Sequence, residues 1–411
     1  METIKRDLPH GKIEGQCDAR FLPVADAFER NFHERGELGA SVCATLEGRT
    51  VVDLWGGSAR PDGAPWLRDT VSIVFSCTKG AVAICAHVLA SRGLLDLDAP
   101  VAEVWPEFAR KGKERATVRM MLDHSVGLPA FKTPLRPGGC NDWDYMVGML
   151  ADEEPFWEPG TRNGYHMLNF GWTAGELVRR VAKKSLGAFF RDEVATPLGV
   201  EFWIGTPEEV EPRIAPVLMH VPKPGDAVPE FMKKVMSDPR STAALSLLNG
   251  GGFDPNSRAC HAAEIGGGGG ISNARGLAGI YAPLACGGSL GGVRLVDPAA
   301  LTRMGQVAVA THEDATLGIP TRFALGFMKS MDNRRRAFGD RDSALLSSAA
   351  FGHVGAGGSI GFADPVEGLS FGYSMNQMGQ GILLNARGQS LVDAAYRVLG
   401  YRGNEAGVWT R

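Results

Sequence analysis

From Gly80 to Leu89 the chain is almost unbroken apolar sequence, without proline. Ile73, Val74 and Phe75 lead into it and Gly93 closes it, so the pattern predicts a helix from about Ser76 to Arg92, mostly buried. A helix that is apolar on most sides has to be wrapped by other elements. At 411 residues the chain is long enough to do so, as one large domain or two intertwined ones.

The wrapping elements fall into two groups. Residues 1–20 read as an arm, and Phe21 to Arg35 as an amphipathic helix. Ala40–Leu46 and Val51–Trp55 flank Glu47-Gly48 and read as a hairpin. Helices are predicted at Met146–Ala151, Asn169–Val181, Leu186–Val194 (stopped before Pro197) and Ala274–Leu284. Residues 212–230, with Pro222, Pro224 and Pro229, read as a loop, as do the glycine runs 250–252 and 266–270. Strands follow at Arg322–Met328, Ala349–Val354, Ser359–Ala363 and Leu369–Gln377, then a last helix at Asp393–Leu399.

Strands at both ends with helices between them predict an α/β (α+β) fold. Its antiparallel sheet, flanked by helices, is built from residues 1–75 and 265–411, beside a mostly helical domain of residues 76–264. The long helix would then begin at the seam, where clefts form.

Several classes of function are disfavoured. The net charge is −3, and the short basic runs Lys233-Lys234 and Arg334-Arg335-Arg336 read as solvated surface, so no nucleic-acid partner is expected. Seven cysteines, an odd number without paired spacing and with no Cys-x-x-Cys, argue against a disulfide framework or a zinc centre. Met1 to Gln16 lacks an apolar signal core and no stretch is long enough to span a membrane, so a cytoplasmic protein without a membrane partner is expected.

Three motifs carry chemistry. Ser76 stands three residues before Lys79, so on a helix the hydroxyl and the amine share a face. A serine attacks only when a base takes its proton, and burial lowers a lysine toward that role. The helix N-terminus adds free N–H groups for a developing oxyanion. In Gly160-Thr161-Arg162-Asn163-Gly164-Tyr165-His166-Met167, Tyr165 follows a Pro-Gly turn and precedes a helix. Held near Lys79, whose cation would favour a phenolate, its phenol could relay the proton of Ser76 to a leaving alcohol. In Phe351–Gly361, glycine-rich backbone could complete an oxyanion hole with the Ser76 N–H, and His353 could bond a substrate carboxylate or the Tyr165 hydroxyl. Ser359 lies in Gly-x-Ser-x-Gly, the pattern of a nucleophile elbow, but β-like sequence rather than a helix follows it.

These motifs, in this order, resemble the serine β-lactamase-like group, and within it the family VIII carboxylesterases, kin to class C β-lactamases and penicillin-binding DD-peptidases. The resemblance runs from about Gly39 to Gln377 and includes Trp105-Pro106-Glu107-Phe108, Leu122 to Leu128, Phe170-Gly171-Trp172, Asn273-Ala274-Arg275 and Gly352-His353 through Gly361-Phe362. It implies Ser76 as nucleophile, Lys79 and Tyr165 as the base pair, an acyl-enzyme, and oxyanion donors from Ser76 and the Gly355, Ala356 and Gly357 stretch. It implies short-chain carboxylic esters as substrates, with no cofactor or metal.

Such β-lactamases carry Tyr-x-Asn and Lys-Thr-Gly; here Met167 and His353-Val354-Gly355 stand in those places, which turns the expectation from lactams toward esters. A β-lactamase or DD-peptidase, an acyltransferase, and a catalytically silent binding protein are the alternatives on the same fold.

Overall fold

The structure is a computed structural model, and it describes residues 1–222, 228–336 and 343–411. Seven antiparallel strands form its main sheet: β1 (Glu2–Leu8), β2 (Gly11–Cys17), β3 (Gly39–Leu46), β4 (Arg49–Gly57), β5 (Phe351–Val354), β6 (Ile360–Asp364) and β7 (Leu369–Met375). Their order across the sheet is β1-β2-β4-β3-β7-β6-β5, so the two ends of the chain meet where β3 pairs with β7, Val42 opposite Tyr373. Glu47 and Gly48, both at positive φ, make the tight β3–β4 turn that matches the strands' twist.

Helices cover both faces. On one side lie α1 (Leu22–Glu34) and the C-terminal helix α5 (Ala386–Val398), whose Tyr396 stacks on Phe362 of β6. On the other lies α4 (Ala274–Ala285). Gly361 and Gly372 face each other across β6 and β7, and a Cβ on Gly372 would sit 2.2 Å from the Ala274 carbonyl. This bare cross-strand pair lets α4 press its backbone onto the sheet.

The predicted buried helix is α2, Cys77–Ser91, with Ser76 at its N-cap and every residue from Cys77 to Leu89 buried. It packs against α3 (Phe170–Ala182) and touches β5. Its core includes Trp105, Phe108 and Trp172, while a second core fills the space between the sheet and α1 with α5.

Several expectations are corrected. Residues 1–20 are no arm: they form the β1–β2 hairpin, paired through β2 to β4. Only Ile4, Ile13 and Cys17 of the two strands are buried, so charged residues hide the alternation. A charged outer strand also blocks further pairing at that edge. In the predicted 212–230 loop, Ile214–Ala215 is a strand pairing parallel to Val71–Ile73, beside Ile271–Ser272 and Phe202–Trp203 in a small sheet. Pro224 lies outside the described residues. The helix from Leu186 runs past the expected stop through a π turn, Arg191–Ala195, and ends at Leu198 with Gly199 left-handed. Of Arg322–Met328 only Phe323 and its neighbour Arg322 are strand, in Thr321–Phe323. Among the described residues, no helix is long and apolar enough to cross a membrane.

Candidate active site

Ser76 emerges at the tip of α2, half-buried among fully buried neighbours. The chain reaches it through Phe75, whose φ of 44° is left-handed for a bulky side chain. Such strain persists only where the surroundings impose it, and it aims the next residue out of the strand-to-helix turn.

Lys79, one turn along, is wholly buried. Its Nζ lies 2.9 Å from Ser76 Oγ, and it donates to the carbonyls of Met167 at 2.6 Å and Gly267 at 2.5 Å. All three partners are neutral oxygens, and among the described residues no carboxylate pairs with it. Burial therefore holds the amine well below its ordinary 10.5. Once deprotonated, the amine can donate to the two carbonyls and keep its lone pair for the Ser76 hydroxyl.

Tyr165 lies across this pair. Lys79 Nζ is 4.8 Å from its ring centroid, and the Ser76 side chain acts on its phenol to favour the charged form. Burial dominates the phenol and raises it far above its ordinary 10. The expected phenolate thus gives way to a neutral phenol, because burial outweighs the Ser76 side chain that favours the charged form. The ring stacks on Phe323 at 5.9 Å and leans on His124 at 4.9 Å. Its backbone N–H donates to both carboxylate oxygens of Asp314, at 2.9 and 3.1 Å.

The third motif closes the site from β5 and β6. The Gly355 N–H is taken by the Ser359 carbonyl at 2.8 Å, and the Gly358 N–H by the Gly355 carbonyl at 3.1 Å. Among the described residues, the N–H groups of Ser76, Ala356 and Gly357 have no protein partner. Ala356 packs against the apolar cluster that holds Phe75, the residue before Ser76. Gly355 is thereby removed as an oxyanion donor; Gly357, left-handed at φ 81°, shapes the turn and meets Met378.

His353 differs from one expectation. Its Nδ1–H donates to the Val354 carbonyl at 2.8 Å, and burial lowers the ring to about 3. The remaining Nε2 is a buried lone pair without a partner among the described residues, 6.1 Å separating its ring from that of Tyr165. A bare lone pair repels a carboxylate and accepts from a hydroxyl, so of the two expected partners only the hydroxyl suits it.

Ser359 is turned inward, 1% exposed, its Oγ donating to the Val74 carbonyl at 3.3 Å, and strand β6 follows it. No elbow is formed.

Sequence reasoning missed the groups that hold the site. Asp314 collects N–H donors from Tyr165, Thr316 and Leu317 and carries no motif. The carbonyls of Met167 and Gly267 act through backbone, which side-chain patterns do not reveal. The glycine run at 266–270 was the available signal, since such runs mark close backbone approach.

The model of the family described as Beta-lactamase matches residues 24–393. Esterase/beta-lactamase LipL of Mycobacterium tuberculosis (strain ATCC 25618 / H37Rv) is 32% identical over 376 residues, covering 89% of this chain and 83% of its own. A crystal structure of a family VIII carboxylesterase aligns with a TM-score of 0.83 at 38% identity, covering 94% of this chain and 99% of that one. A penicillin-binding protein homolog from Caulobacter crescentus aligns with a TM-score of 0.82 at 33% identity, with coverage of 94% and 99%.

Proposed function

The chain belongs to the beta-lactamase family, and from that premise we propose that it is a serine hydrolase cleaving short-chain carboxylic esters through an acyl-enzyme on Ser76. One observation carries the reading: the Ser76 hydroxyl lies 2.9 Å from a fully buried lysine that has only neutral partners.

Neutral Lys79 takes the Ser76 proton as Oγ attacks the ester carbonyl. The carbonyl oxygen becomes an oxyanion held by the Ser76 and Ala356 N–H groups. As the intermediate collapses, the proton passes through the Tyr165 phenol to the departing alkoxide, which leaves as an alcohol. His353, neutral and able only to accept at Nε2, orients a hydroxyl in the cleft. Water then follows the alcohol's path in reverse: its proton goes to the Tyr165–Lys79 pair, its oxygen attacks the acyl carbon, and Ser76 is released with the acid. None of these steps calls for a metal or cofactor.

Replacing Ser76 with Ala should abolish turnover of a short-chain nitrophenyl ester, while Ser359→Ala retains it. A dead Ser359→Ala beside an active Ser76→Ala would overturn the assignment.

Lactam hydrolysis is the second reading, favoured by the name of the Mycobacterium tuberculosis relative. Met167 and His353 stand where lactam-cleaving relatives place an amide and a cation, so nitrocefin should turn over far more slowly than the ester. Acyl transfer to an alcohol would use the same acyl-enzyme, and adding an alcohol acceptor to the ester assay separates it from hydrolysis.

A further inference from the structure

Away from the serine, two cysteines face each other. Cys140 sits in the short turn Gly139–Asn141 and Cys260 in the short helix Arg258–Ala262, far along the chain. Both are buried, 1% and 2% exposed. Their sulfurs share Asn141 Oδ1, at 3.5 Å from Cys140 and 3.3 Å from Cys260. Chance adjacency of buried thiols needs no further partners, but Cys260 has them: the Asp254 N–H donates to its sulfur at 3.3 Å.

These donors set the two thiols apart. The neighbouring Cys140, with help from Ser257 and the Asp254 N–H, lowers Cys260 against the cost of burial, while Cys140 is pushed up. The thiolate is the reactive form of cysteine. Burial raises Cys43, Cys77 and Cys85, which leaves those thiols protonated.

We propose that Cys140 and Cys260 form a reversible disulfide when the protein meets a small peroxide. The Cys260 thiolate attacks one oxygen of hydrogen peroxide, breaking the O–O bond; the sulfur becomes sulfenic acid, and the released hydroxide leaves as water with the thiol's former proton. The Cys140 sulfur then displaces the sulfenic oxygen, the S–S bond closes, and that oxygen leaves as a second water carrying the Cys140 proton. Two thiols lose two electrons and one peroxide gains them. A thiol reductant reverses the change.

The bridge reaches toward the lysine from both sides. The Cys140 N–H donates to the Gly251 carbonyl, and the neighbouring Gly250 faces Leu168, next to Met167. Cys260 leads along the chain to Gly267. Met167 and Gly267 are the residues whose carbonyls hold Lys79. The disulfide would join the Gly139–Asn141 turn to the Arg258–Ala262 helix, which leads along the chain to Gly267.

The test treats the full chain with hydrogen peroxide, blocks remaining thiols with N-ethylmaleimide, and maps a non-reduced digest by mass spectrometry. The expected result is a peptide linking Cys140 to Cys260 that dithiothreitol removes. Cys140→Ser should lose the link and leave a dimedone-reactive sulfenic acid at Cys260, while Cys286→Ser should keep the link. A wild-type digest in which both residues stay alkylated would overturn the proposal, as would one in which Cys260 is over-oxidised with Cys140 still free. The wild-type map needs no variant to fold.

Discussion

Ser76 loses its proton to an amine that burial has already made reluctant to charge, and the pH dependence follows from that. Lys79 is held well below 10.5, so the neutral base accumulates as pH rises through the lowered value, and kcat/KM should rise with it to a plateau. The raised Tyr165 phenol adds no falling limb below its ordinary 10, and His353, lowered to about 3, adds no step near neutrality. A pH profile with a nitrophenyl ester checks both; a falling limb near neutrality would contradict the assignment of roles. Stability moves with the same lysine. Between its lowered value and 10.5 the folded chain binds fewer protons than the unfolded one. The Lys79 contribution therefore strengthens as pH rises across that window and is lost as pH falls. Tyr165→Phe keeps the ring and removes the relay, so kcat should drop roughly 100- to 10,000-fold. Asp314→Ala leaves several buried N–H donors unpaired and should cost about 3 kcal/mol in denaturant titration, with a lower kcat as Tyr165 loosens. Ser76, Lys79 and Tyr165 could be singled out in the sequence because each lies in a local pattern. Asp314 could not, because it reaches Tyr165 across 149 residues.

Helix α2 shows what a close fit demands of an element. A Cβ on Gly80 would stand 2.0 Å from the Tyr281 hydroxyl of α4. That hydroxyl is buried and has no partner among the described residues. Gly80→Ala should therefore destabilise by about 1–3 kcal/mol through overpacking. Tyr281→Phe, which removes an unsatisfied hydroxyl, should be neutral or stabilising alone and should recover much of the loss in the double variant. Thermal melts of the three variants test this; a double variant no better than Gly80→Ala would show that the backbone itself shifts. Elements with a strong apolar period, α2, α3 and α4, were legible in the sequence. The β1–β2 hairpin and Ile214–Ala215 were not. The hairpin's strands are mostly charged, and Ile214–Ala215 is short with its partner Val71–Ile73 far back along the chain, so pairing rather than local pattern decides them.

Across the whole molecule, the chain ends are fastened by buried charge. Arg387 of α5 bonds Glu37 at 3.1 Å, and Glu37 also accepts from the Tyr373 hydroxyl of β7. Burial raises Glu37 although Arg387 opposes it. Arg387→Met strands the acid and should cost about 3–5 kcal/mol, read as a lower thermal midpoint. A sheet drawn from both ends was foreseeable from where the strand-like segments cluster, whereas this network joins residues 350 apart and left no local trace. The account rests on Ser76 as the acylated residue. A fluorophosphonate or slowly hydrolysed ester, trapped on the wild-type chain and located by peptide mass spectrometry, tests this most directly. The adduct should sit on Ser76, and Lys79→Met should suppress it; an adduct on Ser359, or on Ser76 regardless of Lys79, would contradict the account.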